Sequence, residues 1–366
     1  MVNVKDAMFG ARGDGVTDDT SAIQKAVNAV AGTGGSVVIP AGIYLVDPVA
    51  STHAGIRLRS DMTLRFEPGA VLQALPTSTS NYVVLLVGGV QNVQILGGTI
   101  IGNRHNNSIL DTREGGIGLK VARSRHVVVQ GLTSKDCWLD GFYIGEASWD
   151  VTLCRVVADG NRRQGMSVTS VDGLVVESCT FKNTTGFMEN GVFVCGAGTA
   201  IEPNIGQTVC NVRFTGCTFA SNATDGLAIG PAIANRGRAF VTDVVVDGNK
   251  ALGNGRHHGA SGIGVSNCSG LQISNNTVTD NIGNGIYLRN QANSILLTGN
   301  TVTGTRAAPP PGSIGYGILL YDTAGNILTG NTVRNSAACG IRNAYPSGAN
   351  TIGPNKLRNN HPDTCP

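Results

Sequence analysis

Short apolar stretches recur along most of the chain as alternations, not as helical stripes: Gly141-Phe-Tyr-Ile, Gly165-Met-Ser-Val, Gly226-Leu-Ala-Ile, Gly262-Ile-Gly-Val, Gly285-Ile-Tyr-Leu and Gly317-Ile-Leu-Leu. Period-two alternation between turn residues predicts strands. A second column runs in fixed phase with the first and holds Cys154, Cys179, Cys217, Asn249, Asn276, Asn300, Asn331 and Asn355. The smallest spacing in it is 24 residues, from 276 to 300 and from 331 to 355, and larger gaps are the same unit plus a loop. One such unit cannot bury its own apolar face, but identical units stacked as coils bury a continuous core. Asparagines in register would then hydrogen-bond to their counterparts above and below. The pattern predicts an all-β solenoid over residues 47–366, with two or three short strands per coil.

Residues 1–46 break the pattern and predict a cap continuous with that solenoid. Thr20 stands where a helix N-cap would, and Ala22, Ile23, Ala26, Val27 and Val30 form an apolar stripe ended by Gly32. A helix here would plug the open end of the coil stack, where strand edges otherwise invite aggregation.

Composition narrows the partners. The 51 glycines, 5% aromatic and 14% charged residues suit tight turns between short strands. The 27 Lys and Arg against 24 Asp and Glu leave a formal charge of only +3 with no basic run, so nothing marks a nucleic-acid surface. No apolar stretch reaches the roughly 18–20 residues of a membrane span, and no charged-then-apolar leader opens the chain. Most of the nine cysteines sit in the repeat as packing residues, and no C-x-x-C occurs. Cys339 and Cys365 are the pair considered for a terminal disulfide.

The opening FGARGDGVTDDTSAIQ, with the repeats behind it, resembles the pectate-lyase-like superfamily of right-handed parallel β-helix proteins. The resemblance implies a right-handed parallel β-helix with an N-terminal capping helix. Members include polysaccharide lyases, glycosidases, alginate epimerases and phage tailspikes, so it constrains fold more than reaction. A polysaccharide or oligosaccharide substrate is implied, no cofactor or metal is called for, and the setting is extracellular, secreted or a phage virion. Homo-oligomers are known among tailspikes.

In each Gly-led strand the first and third residues are apolar and face inward, so the second and fourth face solvent. The 38-residue interval between Cys179 and Cys217 offers two strands, 191–194 and 198–202. The second restores the spacing from Gly to corner and puts Glu202 outward. Residues 200–204, Ala-Ile-Glu-Pro-Asn, resemble a G-I-D-I-E-P-N segment of superfamily members that also carry an R-R-Q-G run one coil earlier, here Arg162, Arg163, Gln164 and Gly165. Ala200 replaces that pattern's aspartate. Asp140 and Asp225 precede the strand Gly of their coils, and rise alone puts Asp225 about 5 Å and Asp140 about 10 Å from Glu202. The leading expectation is a glycoside hydrolase using Glu202 with Asp225, Asp140 or the position of Ala200. Arg162, Arg163 and Gln164 would bind substrate, Tyr143 and Trp138 would stack on sugar rings, and the bland alternative pairs the arginines with Asp159.

Two other functions stay open. A uronate lyase or C5-epimerase would use a Tyr, His, Lys or Arg; but Gly141-Phe-Tyr-Ile-Gly-Glu146 lacks the Asp and His of the epimerases' YG-F-D-P-H motif, and acids are too scattered for a calcium cluster. A non-catalytic tailspike or adhesin would need no carboxylate pair. His257 and His258 are adjacent, which disfavours a shared metal. Insertions near 183–197, 204–210, 231–239, 255–261 and 305–313, the last including the stiff run 307–312, would wall a groove.

Overall fold

The alternating stretches wind into three parallel sheets around one core in the computed structural model, which describes residues 1–79, 81–107, 115–189, 192–194, 196–257, 260–308 and 313–365. Among the described residues the sheets hold 12, 14 and 13 strands. One coil shows the unit: Phe142–Gly145 in the first sheet, Ser148–Cys154 in the second, Val157–Asp159 in the third. Each pairs in parallel with its counterparts in the coils before and after. Inward residues such as Ile144, Leu153 and Ala158 are fully buried.

The first 46 residues belong to the same stack, because Val2–Asn3 pairs with Ser36–Ile39 and Gly42–Val46 with Ala70–Ala74. The helix Thr20–Ala29 packs Ile23, Ala26 and Val27 against the core. Its cap differs from the expectation. Asp19 is the N-cap residue, and its carboxylate accepts the Arg12 and Gly13 N–H groups at 2.7 and 2.9 Å, not a helical one. Thr20 is the first helical residue; its hydroxyl donates to Asp18 at 2.5 Å and accepts the Asp47 N–H at 2.8 Å. Asp14 accepts the Val16 and Thr17 N–H groups, which holds its pKa down at about 2. The Gly-Asp-Gly-x-Thr-Asp-Asp-Thr stretch therefore works as turn and helix entry.

The asparagine column is a hydrogen-bonded ladder at the corner between the second and third sheets. Backbone N–H and Nδ2 of Asn249 both donate to Asn276 Oδ1, and the pattern repeats from Asn276 to Asn300, Asn300 to Asn331 and Asn331 to Asn355, at 2.9–3.1 Å. Cys217 and Cys179 continue the column, with the Cys217 N–H donating to Asn249 Oδ1. Cys154 does not. It pairs with Glu177, and the corner of its coil is held by Val156. A lone apolar-x-x-Cys string slipped by two residues accounts for the misplacement.

A second ladder, at the corner between the third and first sheets, was not apparent from the repeat. Asn222 donates to Asn254 Oδ1 and Asn254 to Asn281 Oδ1, each through N–H and Nδ2. This ladder explains the glycine column. A Cβ on Gly198, Gly226 or Gly262 would lie 2.6–2.8 Å from Nδ2 of Asn222, Asn254 or Asn281. Of the six free cysteines among the described residues, Cys137, Cys179, Cys217 and Cys268 are buried while Cys154 and Cys210 are half-buried, and burial pushes Cys137 and Cys268 up to about 12. A disulfide joins Cys339 to Cys365 across the last two coils.

Replacing Asn300 by Leu strands the Asn276 N–H and Nδ2 in a corner closed to solvent. The expected loss is about 2–6 kcal/mol, from two buried donors at about 1–3 each. Gly226→Ala should cost about 1–3 kcal/mol through overpacking. Urea midpoints measure both, and an unchanged midpoint for Asn300→Leu would mean that water reaches the ladder.

Candidate functional site

Register builds the site. On the outer face of the 12-stranded sheet, Lys120, Tyr143, Ser167, Ala200, Ala228, Gly264, Tyr287, Leu319 and Arg342 succeed one another in one row. Ala200 thus occupies an outward position, on the floor between Ser167 and Ala228. Thr199 and Ile201 point inward at 0% and 1% exposure. Glu202 follows on the outer face, its N–H extending the ladder to Val168 O at 2.8 Å. The competing segment forms a separate antiparallel hairpin, Phe187–Glu189 with Val192–Val194, outside the main sheets.

Glu202 lines a cleft of about 410 Å³ with Lys120, Tyr143, Arg163 and Thr169. Pro203, Asn204, Ala232 and Asn235, from the insertions at 204–210 and 231–239, form its far wall. Those two insertions brace each other through Gly206 N–H to Arg238 O and Phe240 N–H to Gln207 O. Inside, Ser167 Oγ donates to Glu202 Oε1 at 3.0 Å, and Tyr143 OH lies 2.8 Å from Thr169 Oγ1. Lys120 Nζ sits 4.9 Å from the Tyr143 ring centroid and 2.5 Å from Glu146 Oε1. Arg123 binds the same Glu146, so two cations share one carboxylate at that end. The expectation missed Lys120, although Gly118-Leu-Lys-Val fits the Gly-led alternation one coil earlier.

Several expected roles do not survive. Asp140 is fully buried and gripped by Arg163 through Nε at 2.9 Å and Nη2 at 2.6 Å, while the Gln164 N–H adds a third bond at 3.1 Å. A carboxylate so held is a structural anchor for the arginine, not a proton carrier. Gln164 is itself buried, its Oε1 accepting the Ala197 N–H at 2.9 Å, so it braces the next coil and binds no substrate. Trp138 is buried too, and the Arg162 guanidinium covers its ring at 4.1 Å and that of Phe187 at 3.8 Å. Neither offers a sugar platform or fork. Asp159 pairs with Lys182 and Asn183, not with the arginines.

Asp225 is also displaced from the cleft. It aligns with the start of its strand and Glu202 with the end of its own, an offset of five residues or about 16 Å along the strand that rise alone ignored. Side-chain direction does not close the gap. Glu202 leans back to Ser167, whereas Asp225 Oδ1 lies 3.1 Å from where a Cβ of Gly264 would stand. Ser167 and Gly264 are three coils apart, about 14 Å. Asp225 instead lines a neighbouring pocket of about 340 Å³ with Arg289 and Ser266. Burial raises its pKa, opposed by the Arg289 charge and the Ser261 N–H at 2.7 Å.

This fold, three-sided coils with a helix at the N-terminal end and a cleft on one outer face, is that of the right-handed parallel β-helix, and family matches along the chain support the resemblance to the pectate-lyase-like proteins of that fold. Its first 66 residues match the family described as Rhamnogalacturonase A/epimerase, pectate lyase-like, and residues 49–205 match Right handed beta helix region. Residues 206–365 match Periplasmic copper-binding protein (NosD). Among the described residues no three His, Cys, Asp or Glu side chains gather as metal ligands, and His258 lies outside them.

Similar proteins include YclG, an uncharacterized protein of Bacillus subtilis, 25% identical over 90% of this chain and 62% of its own length. Mannuronan C5-epimerase AlgE1 of Azotobacter vinelandii is 34% identical over 42% of this chain and 10% of its own. The solved structure of PfbA, a surface adhesin of Streptococcus pneumoniae, superposes with a TM-score of 0.71 at 17% identity, covering 98% of this chain and 92% of that one. The chain spans 53–62% of the length of the curated relatives that it matches along most of itself.

Arg163→Gln leaves the buried Asp140 charge uncompensated and should cost about 3–5 kcal/mol, with Asp140→Asn/Arg163→Gln recovering much of it in urea unfolding. For Asp225 the folded pKa lies above the ordinary 3.8, so the folded state binds more protons than the unfolded one. Stability should therefore fall as pH rises from 3.8 through the raised value. Asp225→Asn should lack that slope and gain on the wild type toward neutral pH, as followed by melting temperature against pH.

Proposed function

We propose that the chain binds and processes an acidic carbohydrate polymer along the outer face of the 12-stranded sheet, and that its reaction begins with removal of the C5 proton of a uronate. The observation that carries this is the cleft's lining: Tyr143, Lys120 and Arg163 stand with one carboxylate, Glu202, while of the acids expected as its partner Asp225 is turned about 14 Å away, Asp140 is buried against Arg163, and position 200 is an alanine. Glycosidases hold their two carboxyl groups about 5–9.5 Å apart. A uronate proton acid is activated differently. Cations must neutralise the sugar carboxylate as charge flows into it, while a separate group takes the proton.

Lys120, with Arg123 behind it on the shared Glu146, provides surplus positive charge at one end of the cleft. Tyr143, whose hydroxyl lies against Thr169, would exchange the proton. Ser167 fixes Glu202, which would hold sugar hydroxyls. Loss of the leaving group at C4 would make the reaction a lyase; return of the proton on the other face would make it an epimerisation. The partial sequence likeness to a mannuronan C5-epimerase supports this class. An extracellular or phage-associated setting accords with the adhesin and tailspike neighbours.

Incubation with alginate and with polygalacturonate tests the reading, by absorbance near 235 nm for unsaturated ends and by exchange of C5 hydrogen with solvent. Tyr143→Phe and Lys120→Gln should each lower turnover by about 100-fold or more, the scale of lost general acid-base assistance. Asp225→Asn should retain most of it. New reducing ends without absorbance, strengthened in Ala200→Asp, would restore the hydrolase reading, and binding with no product would leave a glycan adhesin.

A further inference from the structure

Beyond the cleft, the same outer face changes character coil by coil. First comes a trough floored at backbone level: Ala228, Gly230 and Gly264 line the Asp225–Arg289 pocket, which shares Ala232 with the cleft wall. A Cβ at Gly230 would collide with the Ser266 carbonyl, so no side chain can rise there. Next stand Tyr287 and Arg289, the guanidinium 5.2 Å from the ring centroid. Past them Tyr321, in register with Arg289, meets Tyr345 edge-on at 5.4 Å. These tyrosines are 42% and 73% exposed, although large aromatics normally cover core. Exposed rings with hydroxyls at their edges and an arginine alongside suit sugar faces, which present C–H groups to an aromatic ring and hydroxyls to polar neighbours.

We infer that Tyr321 and Tyr345, with Arg289, form a remote anchoring subsite for the same carbohydrate polymer, joined to the cleft by the trough over Ala228 and Gly264. The inference rests on the reading of the cleft as a sugar-polymer site. From the row of Tyr143 to that of Tyr321 is six coils, about 29 Å. A short oligomer seated at Tyr143 cannot reach the tyrosine pair, and a long one engages both. Linked contacts of this kind raise affinity without altering the chemistry at the cleft.

Calorimetry with a mannuronate trimer and dodecamer, repeated with galacturonate and with neutral cello-oligomers of matched length, tests this. The unaltered protein should bind the uronate dodecamer at least about tenfold more tightly than the trimer. Tyr321→Ala/Tyr345→Ala should weaken the dodecamer by about tenfold, the scale of one or two lost aromatic contacts, and leave trimer binding and trimer turnover unchanged. Ala228→Trp, which blocks the trough, should remove the length preference while both tyrosines remain. Equal affinities of the double variant and wild type for the dodecamer, or equal losses on trimer and dodecamer, overturn the subsite. Length-dependent, tyrosine-dependent binding of the neutral dodecamer alone keeps the subsite and overturns the uronate reading. No binding of any oligomer overturns both.

Discussion

Everything in this molecule depends on holding successive coils in one vertical register, because a strand slipped by a single residue would exchange its buried and exposed faces. Apolar packing opposes a one-residue slip but discriminates less against a slip of two, which keeps the faces. The side-chain amides tolerate neither: Asn276 and Asn300, for example, each donate twice to the oxygen of the next asparagine and once to backbone of an earlier coil. Two ladders at two corners leave a coil only one way to sit. Gly141, Gly198, Gly226 and Gly262, which open strands of the first sheet, are the steric counterpart, since asparagine amides lie where their side chains would be.

Rigid register is also what makes the outer face usable. Residues far apart in sequence arrive in a row with about 4.8 Å between them, so a repeating polymer meets a repeating surface. Along that row most acids are committed elsewhere: Asp140 orients Arg163, and Glu146 holds Lys120 and Arg123. Glu202 is held by a neutral hydroxyl. Burial in its own pocket raises the pKa of Asp225 above the ordinary carboxylate value, opposed by Arg289 and the Ser261 N–H.

The solenoid, the amide corner and the outward strand carrying Glu202 were legible because each leaves a periodic mark: an alternation, an Asn every coil, a Gly-to-corner interval. What was illegible lacks a period. The second ladder interrupts its asparagines with Thr184, Thr305 and Ser336, so the column reads as ordinary turn residues. Cys154 mimicked a corner residue by composition while sitting two places from it. The site failed for another reason. Column membership says which face a residue joins, but the lean of Glu202 toward Ser167 and of Asp225 toward Gly264 is set by individual rotamers and hydrogen bonds, and so was the withdrawal of Trp138 and Gln164 into the packing.

The bond between Cys339 and Cys365 bears on how such a molecule meets proteases. In a stack where each coil touches only its neighbours, digestion begins where an end frays, and every coil removed exposes the next. At the N-terminal end a helix covers the first coil. Toward the other end, the strand Thr364–Cys365 pairs in parallel with Ile341–Ala344 of the preceding coil. The disulfide fastens it to the coil beneath, so that fraying must break a covalent bond or release two coils together. Coils elsewhere are joined by hydrogen bonds and packing, whereas these two share a redox-sensitive rivet that a reducing milieu would undo while leaving the helix-covered first coil as it is.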